Sequence, residues 1–124
     1  MCHAPFTYQH TAPGLVTLND PQFVEASRAL AELALKQDST TIGEQIRFAF
    51  RRAAATQPSD RVLAIFVDTF DEELHRFQQD TESAAQLISV GDSAHDETLD
   101  PAAHAAMTVV TSIILNLDQT LTRN

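Results

Sequence analysis

Glu72-Glu73-Leu74-His75 is the stretch of this chain that looks most like a reaction centre. A carboxylate and an imidazole three residues apart share one helix face, and carboxylate-bridged di-metal bundles use that Glu-x-x-His spacing twice. Here it occurs once. Phe70, Leu74 and Phe77 already mark the core-facing side of the same segment, which puts Glu72 and His75 at its solvated edge. A second cluster gathers His95, Asp96, Glu97, Asp100 and His104. Imidazole and carboxylate together suit zinc or manganese. His95, Asp96 and His104 are therefore the candidate metal ligands. A metal-dependent enzyme or accessory hydrolytic module built on them would need both histidines and a carboxylate to converge. The plainer reading is a polar loop, with Asp100 spent on capping the helix that follows.

Nucleophilic chemistry has less to work with. Cys2 stands beside His3, but a reactive thiolate needs a fixed base and a shaped electropositive setting, and MCHAPFTYQH offers neither. There is no Cys-x-x-Cys-His for covalent haem, no glycine-rich phosphate loop and no Gly-x-Ser-x-Gly elbow. No catalytic residue and no cofactor is assigned. Arg51 and Arg52 are a separate case. They end a helical segment, where cations complement the negative end of the helix dipole. They are also among the few basic residues of an acidic chain, so they are the candidate docking point for an acidic partner. Phe48, Phe66 and Phe70 could line a small-ligand pocket, although aromatic stripes of this kind usually form core.

These residues must be positioned by helices. Asp20-Pro21 is a cap followed by the residue that tolerates a missing N–H in the first turn. Phe23, Ala26, Ser27, Leu30, Leu33 and Ala34 then recur at helical spacing, with Glu25, Arg28 and Glu32 expected on the opposite side, predicting a helix over about 21–37. Thr41-Ile42-Gly43-Glu44 has the capping-box pattern, and Ile42, Ile46, Ala49, Phe50 and Ala53 carry a second helix over about 42–55. Ser59 recaps the chain after Pro58. Val62, Phe66, Phe70, Leu74 and Phe77 then form the strongest stripe, over about 60–79. A shorter helix starts at Asp80-Thr81-Glu82 and runs to about Val90. Asp100-Pro101 opens the last helix, with Ala103, Ala106, Val110, Ile113, Ile114, Leu117 and Leu121 along it. No useful stretch alternates with the period of a strand. The fold class is all-α, a four- to five-helix bundle in one domain covering 17–124, with 1–16 a poorly ordered N-terminal segment.

Composition narrows the function classes. The chain has 124 residues, 8 Lys+Arg against 17 Asp+Glu, and a formal net charge of -9. Such a surface repels nucleic acid and anionic membranes. One cysteine permits no internal disulfide. The N-terminus lacks the basic-then-apolar pattern of a secretory signal. The apolar run from Ala102 to Leu117, broken by His104, Thr108, Thr111 and Ser112, falls short of the roughly 20 residues a bilayer span needs. The chain as written is expected to be cytoplasmic.

VTLNDPQFVEASRALAELAL, IRFAFRRAAATQPSDRVLAIFVDTF and SIILNLDQTLTRN together resemble the C-terminal end of the planctomycete PSD-type domain of unknown function, over about residues 13–124. That domain closes long proteins, many with a cytochrome c-like domain upstream. The resemblance maps its Leu-Asn-Asp-Pro block onto Leu18 to Pro21, its Pro-Ser break onto Pro58 and Ser59, and its Asn-Leu-Asp block onto Asn116 to Asp118. At Gln57 the chain departs from the family's usual basic residue, and MCHAPFTYQH resembles the family poorly. The resemblance implies no catalytic residues. It implies that longer relatives are exported and that this chain is a truncated form, a short stand-alone gene product or a remnant. The expected function is a non-catalytic interaction or scaffold module whose partner is another protein or an upstream domain.

Overall fold

The computed structural model of the chain describes residues 20–38, 41–91 and 95–123, with side chains as far as Leu117. The N-terminal segment 1–16, with Cys2 and His3, lies outside the described residues, as do residues 17–19 and the side chains of Asp118 and Leu121. Five helices follow in order: α1 (Pro21–Leu35), α2 (Ile42–Ala54), α3 (Asp60–Gln79), α4 (Thr81–Ile88) and α5 (Pro101–Arg123). No strand occurs among the described residues. The chain is an all-α bundle.

Each start is fixed by a side chain that satisfies an amide the first turn leaves open. Asp20 Oδ1 accepts from Gln22 N at 3.0 Å, Thr41 Oγ1 from Glu44 N at 3.2 Å and Ser59 Oγ from Val62 N at 3.2 Å. Asp80 accepts from the Ser83 amide and hydroxyl, and Asp100 Oδ2 accepts from Ala103 N at 3.0 Å. The ends are equally local. Ala55 takes a left-handed conformation, φ 58°, and its N–H returns to the Arg51 carbonyl. Beyond α4, Gly91 has φ +100°, and a Cβ there would stand 2.7 Å from Glu25 Cδ, so the backbone and the neighbouring helix both demand glycine.

α5 is the centre of the bundle. It packs against all four other helices and most extensively against α1. Its buried residues do not form one stripe: Ala102, Ala105, Ala106, Met107, Val109, Val110 and Ile114 take one side, and buried His104, Thr108, Thr111 and Ser112 take the other. A helix buried on every side sits inside the protein, which is the structural meaning of the Ala102–Leu117 run and of the polar residues that interrupt it. Alanines let neighbours approach closely. The hydroxyls that interrupt the run find carbonyls: Thr108 Oγ1 donates to His104 O at 2.7 Å and Ser112 Oγ to Val109 O at 2.6 Å. Thr111 Oγ1 donates to Ser27 O of α1 at 2.7 Å, tying the two helices together. α3 contributes Phe66, Phe70 and Phe77 to the core, and α2 contributes Ile46 and Ala49.

α1 is rotated relative to the face its sequence suggests. Val24, Ser27, Arg28, Leu30, Ala31 and Ala34 are buried, whereas Ala26 and Leu33 are exposed. Arg28, expected on the solvent side with Glu25 and Glu32, retains 1% exposure. The buried Val24 and Ala31 lie on the same side as Ser27 and Arg28, and Ser27 turns its polar backbone to Thr111, so α5 receives this edge of α1. The polarity pattern of one helix could not register that choice of edge.

Candidate functional site

Two groups of polar side chains stand out. The first lies where α1, the 95–100 loop and α5 meet. His104 is fully buried, with Nε2 3.4 Å from the Arg28 carbonyl oxygen. A carbonyl only accepts, so Nε2 carries the proton of the neutral ring, and buried Nδ1 has no hydrogen-bond partner among the described residues. The His95 ring lies edge-on, 6.1 Å away between centroids. Arg28 Nη1 pairs with Glu32 Oε1 at 3.5 Å, and Glu32 Oε1 also accepts the Asp96 amide at 3.2 Å. Asp96 is gripped by Lys36 and by the amide and hydroxyl of Thr98. The hydrogen bond from Lys36 holds the Asp96 carboxyl well below the usual carboxylate range, and Asp96 in turn raises Lys36.

The structure therefore brings His95 beside His104 but commits Asp96 to Lys36. Glu97 and Asp100 are exposed, and Asp100 is spent on its cap. Among the described residues no three His, Cys, Asp or Glu side chains form a group able to hold a metal ion. The Glu72–His75 motif is similarly divided. Glu72 and His75 are exposed, while Glu73 takes Arg76 Nη2 at 2.7 Å and Nε at 3.1 Å. Burial pushes the Glu73 carboxyl up, with the adjacent Glu72 charge adding to it. Arg76 in turn lies 4.4 Å over the Phe77 ring. These are structural uses.

His104 has a consequence for pH. Burial pushes its pKa down, and the Arg28 and His95 charges act in the same direction, against the Arg28 carbonyl and Glu32. The unfolded ring titrates near 6.5. Below that value the unfolded chain binds a proton that the folded chain resists, so the contribution of His104 to stability is fully present above about pH 6.5 and is lost as pH drops through the folded value. Thermal melts of the wild type should lose stability between neutral and mildly acidic pH, and His104→Gln should flatten that loss. An unchanged slope in the variant would remove His104 as its cause.

The second group lies on α2. Arg47, Phe48, Arg51 and Arg52 fall on adjacent turns of one helix side, with Ala55 just past its end and buried Ile46 and Ala49 on the other side. With Gln37, Asp38 and Glu44 they border an open groove of about 1030 Å³. Arg47 leans on Glu44 at 3.6 Å. Arg51 and Arg52 are exposed and make no ion pair among the described residues. Arg52 stands 6.0 Å over the half-buried Phe48 ring. The four-residue spacings Arg47–Arg51 and Phe48–Arg52 were present in the sequence, yet only the groove joins Arg47 and Phe48 to the arginine pair. Phe66 and Phe70, the other two aromatics considered for a ligand pocket, are core residues, and Phe50 meets Phe66 at 6.2 Å.

The class that fold and site define is a small all-α bundle with a cationic groove on one peripheral helix. The chain matches no family model, no curated protein and no solved structure. None of its helices, among the described residues, is long and apolar enough to cross a membrane.

Proposed function

We propose that this protein is a non-catalytic interaction module that docks an acidic segment of a protein partner in the α2 groove. One observation carries the reading. Arg51 and Arg52 are exposed and in no ion pair among the described residues, beside Arg47 and Phe48 in a groove that also holds Asp38 and Glu44, on a chain whose net charge is -9. On an acidic protein, cations tend to find carboxylates of their own chain, as Arg28, Lys36, Arg47 and Arg76 do. Guanidinium groups suit carboxylates through paired N–H donors, and Phe48 offers an apolar floor for a partner side chain. Nucleic acid is disfavoured by the surrounding acid. On the resemblance to the planctomycete PSD-type domain, an upstream domain of a longer protein is one partner of this kind.

Fluorescence anisotropy with a labelled Glu-rich peptide tests this directly. The full chain should bind the peptide, and the double reversal R51E/R52E should weaken binding about tenfold or more, which corresponds to about 1.4 kcal/mol. R61E, a reversal on α3, should change affinity far less. No binding at millimolar peptide, or equal loss from both reversals, would defeat the proposal.

A further inference from the structure

α3 carries a surface complementary to the groove on α2. Ile65 is 56% exposed, the most exposed of the chain's large hydrophobic residues among those described. Asp68, Asp71 and Glu72 follow it, all exposed and none in an ion pair among the described residues. Exposed Arg61 and His75 stand at either end. An exposed aliphatic side chain beside three uncompensated carboxylates is the counterpart of Phe48 beside uncompensated arginines.

Resting on the reading that the groove takes an acidic segment, we propose that this segment is the Ile65–Glu72 face of α3 from a second copy of the chain. Both surfaces are helical, so their spacings can be compared without invoking any change of shape. Arg51 lies three residues beyond Phe48, and Asp68 three residues beyond Ile65. Laid parallel, the two helices set Phe48 against Ile65 and Arg51 against Asp68, at the rise of about 1.5 Å per residue that both share. Arg52 then reaches towards Asp71 and Glu72 on the following turn. Arg47 and Glu72 lie four residues from Arg51 and Asp68 in opposite directions, so Arg47 keeps Glu44 as its partner while Glu72 falls one turn from Arg52. α2 and α3 are neighbours within a chain, and the proposed pair is isologous, each chain giving its α3 face to the other's groove. Exposed ion pairs are individually weak. Self-association is therefore a property of high concentration, and it is the match of several pairs with an apolar contact that selects this surface over other acidic ones.

Sedimentation velocity of the full chain, from micromolar to near-millimolar concentration, reads the outcome. The wild type should rise from 13.6 kDa towards twice that mass. R51E/R52E and D68R/E72R should each remain monomeric, and an equimolar mixture of the two should recover association, because each then offers the charge the other lacks. The neutral pairs R51Q/R52Q and D68N/E72Q supply the same loss of association should a reversal perturb folding, as circular dichroism would show. A wild type that stays monomeric throughout, or a mixture that fails to recover, overturns self-docking. Peptide binding that depends on Arg51 and Arg52 in such a monomer leaves the acidic-partner reading intact while removing the second copy as that partner.

Discussion

Phe77→Ala should lower folding stability by about 4 kcal/mol, the range found when a buried aromatic is truncated in a core that cannot fully collapse. Phe77 has no solvent exposure and lies in the central cluster. Near the end of α3, it also supports the Arg76 guanidinium, 4.4 Å above its ring, which in turn holds Glu73. Truncation thus removes core volume and the platform under a half-buried ion pair. Against a typical domain stability of about 5–15 kcal/mol, this is a large fraction. Urea unfolding followed by circular dichroism would show it as a much lower midpoint. Ile65→Ala is the internal comparison, since the exposed position should change stability by only about 0.5 kcal/mol. If the two substitutions cost the same, the assignment of α3's inner and outer faces is wrong.

Arg28→Ala should cost about 3 kcal/mol, as a buried large-to-small change does, and Arg28→Met should cost much less or nothing. The guanidinium is buried at 1% exposure and pairs with Glu32, which lies partly exposed and also touches Lys36 at 3.5 Å. Removing the arginine does not strand Glu32, because Lys36 remains. The larger loss is the volume of the aliphatic stem against α5, and methionine restores much of that volume without a charge to desolvate. Alanine restores none. A Met variant as unstable as the Ala variant would show that the charge itself, through Glu32 and the loop amide of Asp96, holds this corner together. Denaturant midpoints of the two variants decide between them, and the same samples would report whether the acid sensitivity assigned to His104 weakens when the neighbouring cation is gone.

The acid-sensitive corner and the groove meet at the end of α1. Gln37 and Asp38 of the groove rim immediately follow Lys36, whose ammonium grips Asp96 of the 95–100 loop. Peptide binding at neutral pH therefore tests the groove while the His104 ring is uncharged, and the melts test His104 without reference to any partner.

The sequence by itself determined the five helices and most of their limits. Capping is a local transaction: Asp20, Thr41, Ser59, Asp80 and Asp100 each satisfy an amide two or three residues away, whatever the rest of the chain does. The α3 stripe was equally legible, because its aromatics leave one side clearly apolar and its carboxylates mark the other. α1 and α4 stop about two residues before the periodicity suggested, at Leu35 and Ile88, since helix ends are set by which carbonyls find partners. Only the tertiary structure decided which helix is central. Ala, Ser and Thr in α5 read as a diluted apolar face, but small side chains around the full circumference are what lets four neighbours pack onto one helix. Only tertiary structure, too, put Arg28 inside, brought His95 to His104, gave Asp96 to Lys36, and joined Arg47 and Phe48 to Arg51 and Arg52. Burial and pairing depend on what arrives from elsewhere in the chain, whereas the turn of a helix and its cap depend on the next four residues.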